Sequence, residues 1–289
     1  MDWIEVRVTV SAEASEAVAH LLIEEGAGGV VEEAPATLAA YFPDQGDVEA
    51  RLDRIRRSVA GLSRFGLDPG PARVEWRRVA EESWADAWKE HFHPLKVGRR
   101  IVVRPTWREY RPAEGEVVID LDPGMAFGTG SHPTTALCLR ALEDRVTPGC
   151  VVYDVGTGSG ILAIAAVKLG ASRVEACDVD PVAVRVAQAN AAQNGVGARV
   201  RITRGDWTSL PPGEADLVVA NIIADVVIEL AAGVHRLGRP GALFIASGVI
   251  AHRVDDVVGA FREAGLSAIE IEREGEWAAI IARLRGAAT

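Results

Sequence analysis

The sequence predicts an α/β protein in which a parallel, doubly wound sheet follows a small α+β unit of ferredoxin-like order. Two observations lead to this prediction. Over about the first 80 residues, strand-like alternation and helical spacing follow one another in the order βαββαβ. From Cys150 onward, short apolar strand segments alternate with helical segments. Alternation of the second kind gives a parallel sheet whose ligands bind at the carboxyl ends of the strands.

The first unit, residues 1–80, is predicted from local patterns. We expect strands at 3–10, 28–32, 37–42 and 72–79, and helices at 11–26 and 47–62. Ser11 is the expected N-cap of the first helix, because its hydroxyl can accept an otherwise unpaired backbone N–H. This unit carries no chemical motif, so we expect it to recognise a substrate rather than to catalyse.

Residues 81–112 are predicted to connect the two units. Trp84, Trp88 and Phe92 recur at helical spacing within 81–96, which predicts an aromatic helix that packs between domains. His91 and His93 have no third partner at metal-ligand spacing, so no metal site is predicted.

Residues 113–289 are predicted to form the ligand-binding domain. We expect strands at 151–155, 173–177, 200–203, 216–220, 242–246, 267–271 and 277–284, with helices at 159–169 and 181–194 and two more ending near 237 and 264. The sheet edge formed by the carboxyl ends of these strands is the expected binding edge.

Composition narrows the classes of function. The formal charge is −10, whereas a protein that grips a phosphate backbone usually presents a basic surface. We therefore expect a basic protein partner and no direct nucleic-acid substrate. No stretch approaches the roughly 18 apolar residues of a membrane helix, no secretory signal is visible, and the three cysteines match no metal spacing. We expect a cytoplasmic monomer.

The run Asp154–Gly160 (Asp-Val-Gly-Thr-Gly-Ser-Gly) follows a buried strand and opens a helix, which is the context of a nucleotide-binding turn. Its glycines Gly156 and Gly158 permit positive φ and close approach of a ligand. The spacing is GxGxG, and a dinucleotide fingerprint would need glycine where Ile161 stands. Asp154 would repel a diphosphate and attract an ammonium group.

Three further polar residues follow predicted strands. Asp178, 22 residues beyond Gly156, can accept both hydroxyls of an adenosine ribose. Asp206 follows the third of these strands, at a position that commonly faces the adenine. An ordinary role as a turn residue is a nearly equal explanation for an aspartate there. Asn221 ends a fully apolar strand, where a substrate would meet the reactive group. Together these residues indicate an adenosyl ligand with a cationic group, such as S-adenosylmethionine.

The block Leu121–Thr135 (LDPGMAFGTGSHPTT), with Asp154–Gly160 and Asn221–Ala224, closely resembles the bacterial methyltransferases of large-subunit ribosomal protein L-eleven, the PrmA family. The resemblance is close over 120–225 and weak over 1–80, and it includes Gly275-Glu276-Trp277 near the end. Ser131 departs from the family's usual threonine but keeps the hydroxyl.

The resemblance implies a class I methyltransferase domain behind a small substrate-recognition domain and a linker helix. It implies S-adenosyl-L-methionine as cofactor, and the lysine ε-amines and N-terminal α-amine of the ribosomal protein, free or on the large subunit, as acceptors. The family's ligand positions fall on Thr135, Gly156, Asp178 and Asn221. His132, a candidate catalytic residue, and Phe127 would lie in a loop that closes over the cofactor.

An activated methyl donor needs no metal and no covalent nucleophile. The Asn221 side-chain oxygen and the backbone carbonyls of Ile222 or Ile223 are candidates to accept the hydrogens of a neutral amine, and no protein base is expected. Three alternatives stay open: a methyltransferase acting on another protein, RNA or a small molecule; a nicotinamide-dependent oxidoreductase, which Ile161 disfavours; and a binding module without activity.

Overall fold

The computed structural model describes residues 3–27, 30–44, 47–79, 92–122 and 130–285. The described residues up to His93 form one compact unit, and those from Pro94 onward form a second. Most of the predicted linker helix, with Trp84, Trp88 and His91, lies outside the described residues. The domain boundaries suggested by the sequence therefore stay a prediction.

The described residues of the first unit form a four-stranded antiparallel sheet with two helices. Its elements are β1 (Trp3–Thr9), α1 (Ala12–Glu24), β2 (Val30–Ala34), β3 (Thr37–Pro43), α2 (Val48–Gly61), a short 3-10 helix (Leu62–Phe65) and β4 (Arg73–Val79). The strand order is β2-β3-β1-β4, and every described pairing is antiparallel. This is the predicted ferredoxin-like order.

Side-chain caps set where both helices of this unit begin. Ser11 Oγ accepts from the backbone N–H of Ala14 at 3.1 Å, and Asp47 Oδ1 accepts from that of Ala50 at 3.0 Å. Each cap satisfies one donor that has no partner inside its helix. The apolar faces of the two helices cover one side of the sheet in a single core that includes Ile4, Val6, Val8, Val18, Leu22, Leu52, Ile55 and Val59.

In the part that the structure describes, the second unit contains ten strands. They are β5 (Leu95–Val97), β6 (Ile101–Arg104), β7 (Val117–Asp120), β8 (Val151–Val155), β9 (Arg173–Asp178), β10 (Val200–Arg204), β11 (Ala215–Asn221), β12 (Gly238–Ile250), β13 (Ser267–Glu274) and β14 (Trp277–Arg283). Five helices lie between them: α3 (Pro133–Arg145), α4 (Ile161–Leu169), α5 (Pro181–Gln193), α6 (Ala224–Gly233) and α7 (Val254–Glu263). Short 3-10 turns occur at Gly197–Arg199, Trp207–Ser209, Val234–Arg236 and Ala251–Arg253.

The main sheet has seven strands in the order β10-β9-β8-β11-β12-β14-β13. Its first five strands are mutually parallel, as predicted. The strand order reverses between β8 and β11, which is the switch point where ligands bind in such sheets. The parallel prediction is wrong for β14, which pairs antiparallel with both of its neighbours, β12 and β13. The turn between β13 and β14 contains Gly275 at φ 59°.

Alternate residues of the central strands enter two different cores. Val152, Val219 and Ile245 face one core, together with α3 and α4. Their neighbours Tyr153, Val218 and Phe244 face the other, with α6 and α7. Helix α4 is buried along nearly its whole length, which explains its apolar sequence. The carboxyl ends of the strands are therefore held between two packed layers.

A three-stranded sheet, β5-β6-β7, was not predicted from the sequence. Its apolar side chains pack into the same core as α3 and α4. Polar contacts add to this packing: Arg99 N donates to Glu143 Oε2 at 2.9 Å, and Asp120 N donates to Asn194 Oδ1 at 2.9 Å. None of the helices in the described part of the chain has the length and apolar character that a membrane crossing requires.

Candidate functional site

The glycine run forms a tight turn at the carboxyl end of β8. Gly156, Gly158 and Gly160 have φ of 73°, 55° and 83°, a region that side-chain-bearing residues rarely adopt. The backbone N–H groups of Gly156 and Thr157 both donate to Cys177 O at 3.0 Å. The turn is therefore anchored to the neighbouring strand β9.

Asp154 lies beneath this turn and is fully buried. Its Oδ2 accepts from the Thr157 hydroxyl at 2.6 Å and from Ala163 N at 3.2 Å, so it ties the turn to the start of α4. Its Oδ1 is buried and has no hydrogen-bond partner among the described residues. Burial raises the pKa of the Asp154 carboxyl to about 7, and the nearby Asp178 charge acts in the same direction. Its attraction for a cationic ligand stays a prediction.

Asp178 ends β9, beside the same turn. Its Oδ2 accepts from Gly158 N at 2.9 Å, and its Oδ1 accepts from Asp180 N at 3.0 Å. A carboxylate oxygen can accept more than one hydrogen bond, and the side chain is only partly buried. Asp178 is thus held in place while it keeps the capacity to bind further hydroxyl groups.

Asp206 is exposed and caps the 3-10 turn that follows β10. Its Oδ1 accepts from Thr208 N at 2.8 Å and from the Thr208 hydroxyl at 2.5 Å, and these bonds lower the pKa of Asp206. Gly205 N donates to Asp178 O at 2.9 Å, which places this turn beside Asp178. The capping bonds account for Asp206 as a turn residue, and its contact with an adenine stays a prediction.

Asn221 ends β11 and contacts the first turn of α3. Its Nδ2 donates to Thr135 Oγ1 at 3.2 Å, and Thr135 is fully buried. The Oδ1 of Asn221 is buried without a hydrogen-bond partner among the described residues. Burying an amide oxygen without a hydrogen-bond donor costs free energy, and a ligand that donates a hydrogen bond to it removes that cost.

Ile222 connects Asn221 to the glycine turn. A Cβ added to Gly156 would lie 2.5 Å from Ile222 Cγ2, so the turn passes closely under this side chain. Ile222 N donates to Ser247 O at 3.1 Å. Through these contacts the structure brings Thr135, Gly156, Asp178 and Asn221 to one edge of the sheet.

Of the two backbone carbonyls named as candidate amine acceptors, that of Ile223 is already engaged within the protein. Ile223 O accepts from Val226 N and Val227 N, both at 3.1 Å, so it belongs to the start of α6. The side chain of Ile223 is 54% exposed, and Val226 on the same turn is 37% exposed. Unlike Ile223 O, Asn221 Oδ1 has no hydrogen-bond partner among the described residues, so it is the better-placed acceptor of these two.

His132 is the N-cap of α3. Its Nδ1 and the Thr134 hydroxyl form a hydrogen bond of 2.8 Å, and its ring meets Trp277 edge to face with centroids 5.1 Å apart. Burial lowers the pKa of His132 to about 4, so the ring is neutral at pH 7. These contacts explain His132 as a cap, and a catalytic part stays a prediction. Phe127 lies outside the described residues.

The sequence did not identify Ser247 or Gly248 in β12. The Ser247 hydroxyl approaches Thr134 O at 3.1 Å and Ala278 O at 3.3 Å, so it joins α3, β12 and β14 behind Asn221. A small residue pair after an apolar strand is the local signal of this position, and it does not reveal a contact with Thr134, 113 positions away.

The arrangement fits a nucleoside that carries a cationic amino-acid group. Asp178 offers carboxylate oxygens for ribose hydroxyls, and the glycine turn leaves no side chains in the way of a close approach. Two buried oxygens, on Asp154 and Asn221, have no hydrogen-bond partner among the residues that the structure describes. Among the described residues, no group of His, Cys, Asp and Glu could hold a metal ion.

Comparison with known proteins agrees with this geometry. The profile of the family described as ribosomal protein L11 methyltransferase (PrmA) matches residues 2–285. A protein of Pelotomaculum thermopropionicum named ribosomal protein L11 methyltransferase is 45% identical, over 99% of this chain and 100% of its own length. A relative of the same name from Heliobacterium modesticaldum is also 45% identical, over 99% of this chain and 98% of its own.

One solved structure extends the comparison to the fold. The crystal structure of a ribosomal protein L11 methylase from Lactobacillus delbrueckii subsp. bulgaricus is 33% identical, with a TM-score of 0.62. The match covers 67% of this chain and all of that one. On the whole-length match to the family profile and to these relatives, the chain belongs to the ribosomal protein L11 methyltransferase (PrmA) family.

Proposed function

We propose that this protein is an S-adenosyl-L-methionine-dependent protein N-methyltransferase whose acceptors are the lysine ε-amines and the N-terminal α-amine of ribosomal protein L11. The family of the chain supports the reaction and the protein acceptor. The observation that carries the chemistry is the buried Oδ1 of Asn221, which lacks a partner in the described part of the chain and lies at the strand end beside the glycine turn.

Five residues account for cofactor binding in this proposal. Asp178 accepts the ribose hydroxyls, and the turn at Gly156 and Gly158 lets the ligand approach the backbone. Asp154, which is ionised above its pKa of about 7, supplies negative charge below the turn. Thr135 holds the amide of Asn221 at the same edge. When bound, S-adenosylmethionine supplies an activated methyl group on a sulfonium.

The acceptor amine must be neutral before it can attack. Reaching the neutral form of a lysine of pKa about 10.4 costs about 4 kcal/mol at pH 7.5. The apolar side chains of Ile223 and Val226 reduce this cost by excluding water from the amine, because burial disfavours the ammonium form.

Orientation is the remaining task of the protein. Asn221 Oδ1 accepts one N–H of the amine, and this aims the nitrogen lone pair at the methyl group. The lysine ammonium group loses its proton to solvent before the attack, and the methylated product is again an ammonium ion, so the proposal assigns no protein base. His132, neutral and held by Thr134, is not required for this step.

A different acceptor is the main alternative. The net charge of −10 favours a basic protein over RNA. The proposal further includes a monomeric enzyme in the cytoplasm that acts on L11 either free or on the large subunit.

The test is transfer of a labelled methyl group from S-adenosylmethionine to purified L11, to ribosomal RNA and to free lysine, each offered separately. We expect label in L11 alone, and we expect Asn221→Ala to lose turnover while it retains cofactor binding. Label in RNA or free lysine but not in L11 would refute the proposed acceptor. Full turnover by the Asn221→Ala variant would refute the role of the amide.

A further inference from the structure

Gly248 in β12 makes the closest backbone approach next to the candidate site. Its φ is 81°, and it lies in the segment where the pairing register of β12 with β14 shifts between Ala246 and Val249. A Cβ built on Gly248 would lie 2.4 Å from Ile222 O, 2.9 Å from Ile222 C and 3.0 Å from Ile222 N. These are backbone atoms, so no side-chain rotation can relieve the overlap.

Ile222 is enclosed from two sides by glycines. On one side its peptide group meets Gly248, and on the other its Cγ2 would meet a Cβ on Gly156 at 2.5 Å. Its N–H donates to Ser247 O at 3.1 Å, and Asn221 pairs with Ser247 in the sheet register. The end of β11 is thus fixed between β12 and the glycine turn.

We propose that Gly248 is a positioning residue for methyl transfer, because its lack of a side chain sets the place of Ile222 and thereby of the Asn221 amide. This inference rests on the proposed function. It assigns to Gly248 the placement of Ile222 and Asn221, which neither the glycine turn nor Asp178 can provide. Gly248 acts through Ile222 and Asn221 and does not itself touch substrate in this account.

Alanine at position 248 displaces the Asn221 amide but leaves it present in the protein. The added methyl group forces the Ile222 peptide away from β12 by about 1 Å, and a misplacement of that size costs up to about 100-fold in rate. The hydrogen bond from Asn221 to Thr135 lengthens with it. Asp178 is held by Gly158 N and Asp180 N and not by Ile222, so its contact with the ribose is retained.

The chain offers a matched control in the same strand. Gly241 has φ 83°, but a Cβ there would meet nothing within 4 Å. Gly241→Ala therefore imposes the same backbone strain as Gly248→Ala without the collision. Comparing the two variants separates positioning from the general cost of alanine at positive φ.

The experiment measures kcat, KM for L11, the dissociation constant of S-adenosylhomocysteine and the NMR signal of the Asn221 side-chain amide, identified by its loss in Asn221→Ala. For Gly248→Ala we expect kcat to fall at least about tenfold, the two binding parameters to stay within about threefold, and the amide signal to shift. For Gly241→Ala we expect wild-type kcat and an unshifted signal.

Ile222→Ala is a second variant that adds no collision and removes the contact on the Gly156 side. Ile222→Ala should shift the same amide signal and lower kcat. It replaces Gly248→Ala as the test if the Gly248→Ala protein does not fold. An unshifted signal with full turnover in folded Gly248→Ala, or in Ile222→Ala, would overturn the inference. Equal losses in Gly248→Ala and Gly241→Ala would also overturn it. If the wild type does not methylate L11, the proposed function fails, and the amide signal alone decides the positioning role.

Discussion

The Asn221 side-chain amide donates to the Thr135 hydroxyl at 3.2 Å and joins the end of β11 to the first turn of α3, 86 residues away in sequence. The nitrogen of this amide is engaged in that bond, whereas its oxygen has no partner among the described residues. The pair therefore decides which atom of Asn221 faces an incoming amine.

Thr135→Val should disturb this orientation without changing the size of the side chain. The Asn221 Nδ2 would lose its acceptor inside a buried environment, at a cost of about 1–3 kcal/mol, and the amide would be free to turn. We expect a lower kcat and a lower free energy of unfolding, measured by methyl transfer and urea denaturation. Thr135→Ser keeps the hydroxyl and should restore most of the turnover. Equal turnover of the valine and serine variants would show that the hydrogen bond is not used.

Asp178→Asn should weaken cofactor binding much more than Asp206→Asn. A hydrogen bond to a charged acceptor is worth about 1.5–3 kcal/mol, which corresponds to a loss of affinity of about 10- to 100-fold. Asp206 already accepts two bonds from Thr208 within its own turn, so we expect a change of less than about tenfold there. Calorimetric titration with S-adenosylhomocysteine measures both variants. A larger loss for Asp206→Asn would reverse the assignment.

Asp154 should make stability depend on pH in a defined direction. Its pKa rises from 3.8 in the unfolded chain to about 7 in the fold, so between these values the folded state holds a proton that the unfolded state has released. The stability contributed by this group is complete below about pH 4 and is lost as the pH rises through about 7. Asp154→Asn cannot ionise and should therefore gain stability relative to wild type between about pH 5 and about pH 8.

Urea denaturation at both ends of that range measures the difference between the two proteins. Asp206→Asn is the control, because the lowered pKa of that exposed carboxyl leaves it ionised throughout the range. A difference between wild type and Asp154→Asn that does not grow with pH would contradict the raised pKa of Asp154.

His132→Asn tests whether the histidine caps or catalyses. Asparagine is a preferred N-cap, so the variant should keep α3 and its kcat should stay within about threefold of wild type. The neutral ring at pKa about 4 also predicts no ionisation of His132 in the pH profile of kcat above about pH 5.5. A folded His132→Asn enzyme with almost no turnover would restore the catalytic role that its motif suggests.

Local sequence signals were sufficient for the elements that depend on neighbouring residues. The N-cap at Ser11, the βαββαβ order, the glycine turn and the five parallel strands follow from spacing and from capping chemistry. Asp178 and Asn221 were found because each directly follows an apolar strand, and strand ends of a parallel sheet share one edge.

Contacts distant in sequence could not be predicted in the same way. Asp154 points inward because it accepts from the Thr157 hydroxyl and from Ala163 N, which reach it only in the folded turn. The requirement for glycine at 248 arises from the Ile222 backbone, which no pattern around Gly248 reveals. The β5-β6-β7 sheet has strands of three or four residues, too short for a periodicity to be recognised.

Mass spectrometry of L11 after incubation with the wild-type enzyme and S-adenosylmethionine tests the central claim most directly. Peptide mapping should locate added methyl groups on lysine side chains and on the N-terminal amine, and they should be absent with Asn221→Ala. Unmodified L11 after incubation with an enzyme that binds S-adenosylhomocysteine would contradict the account.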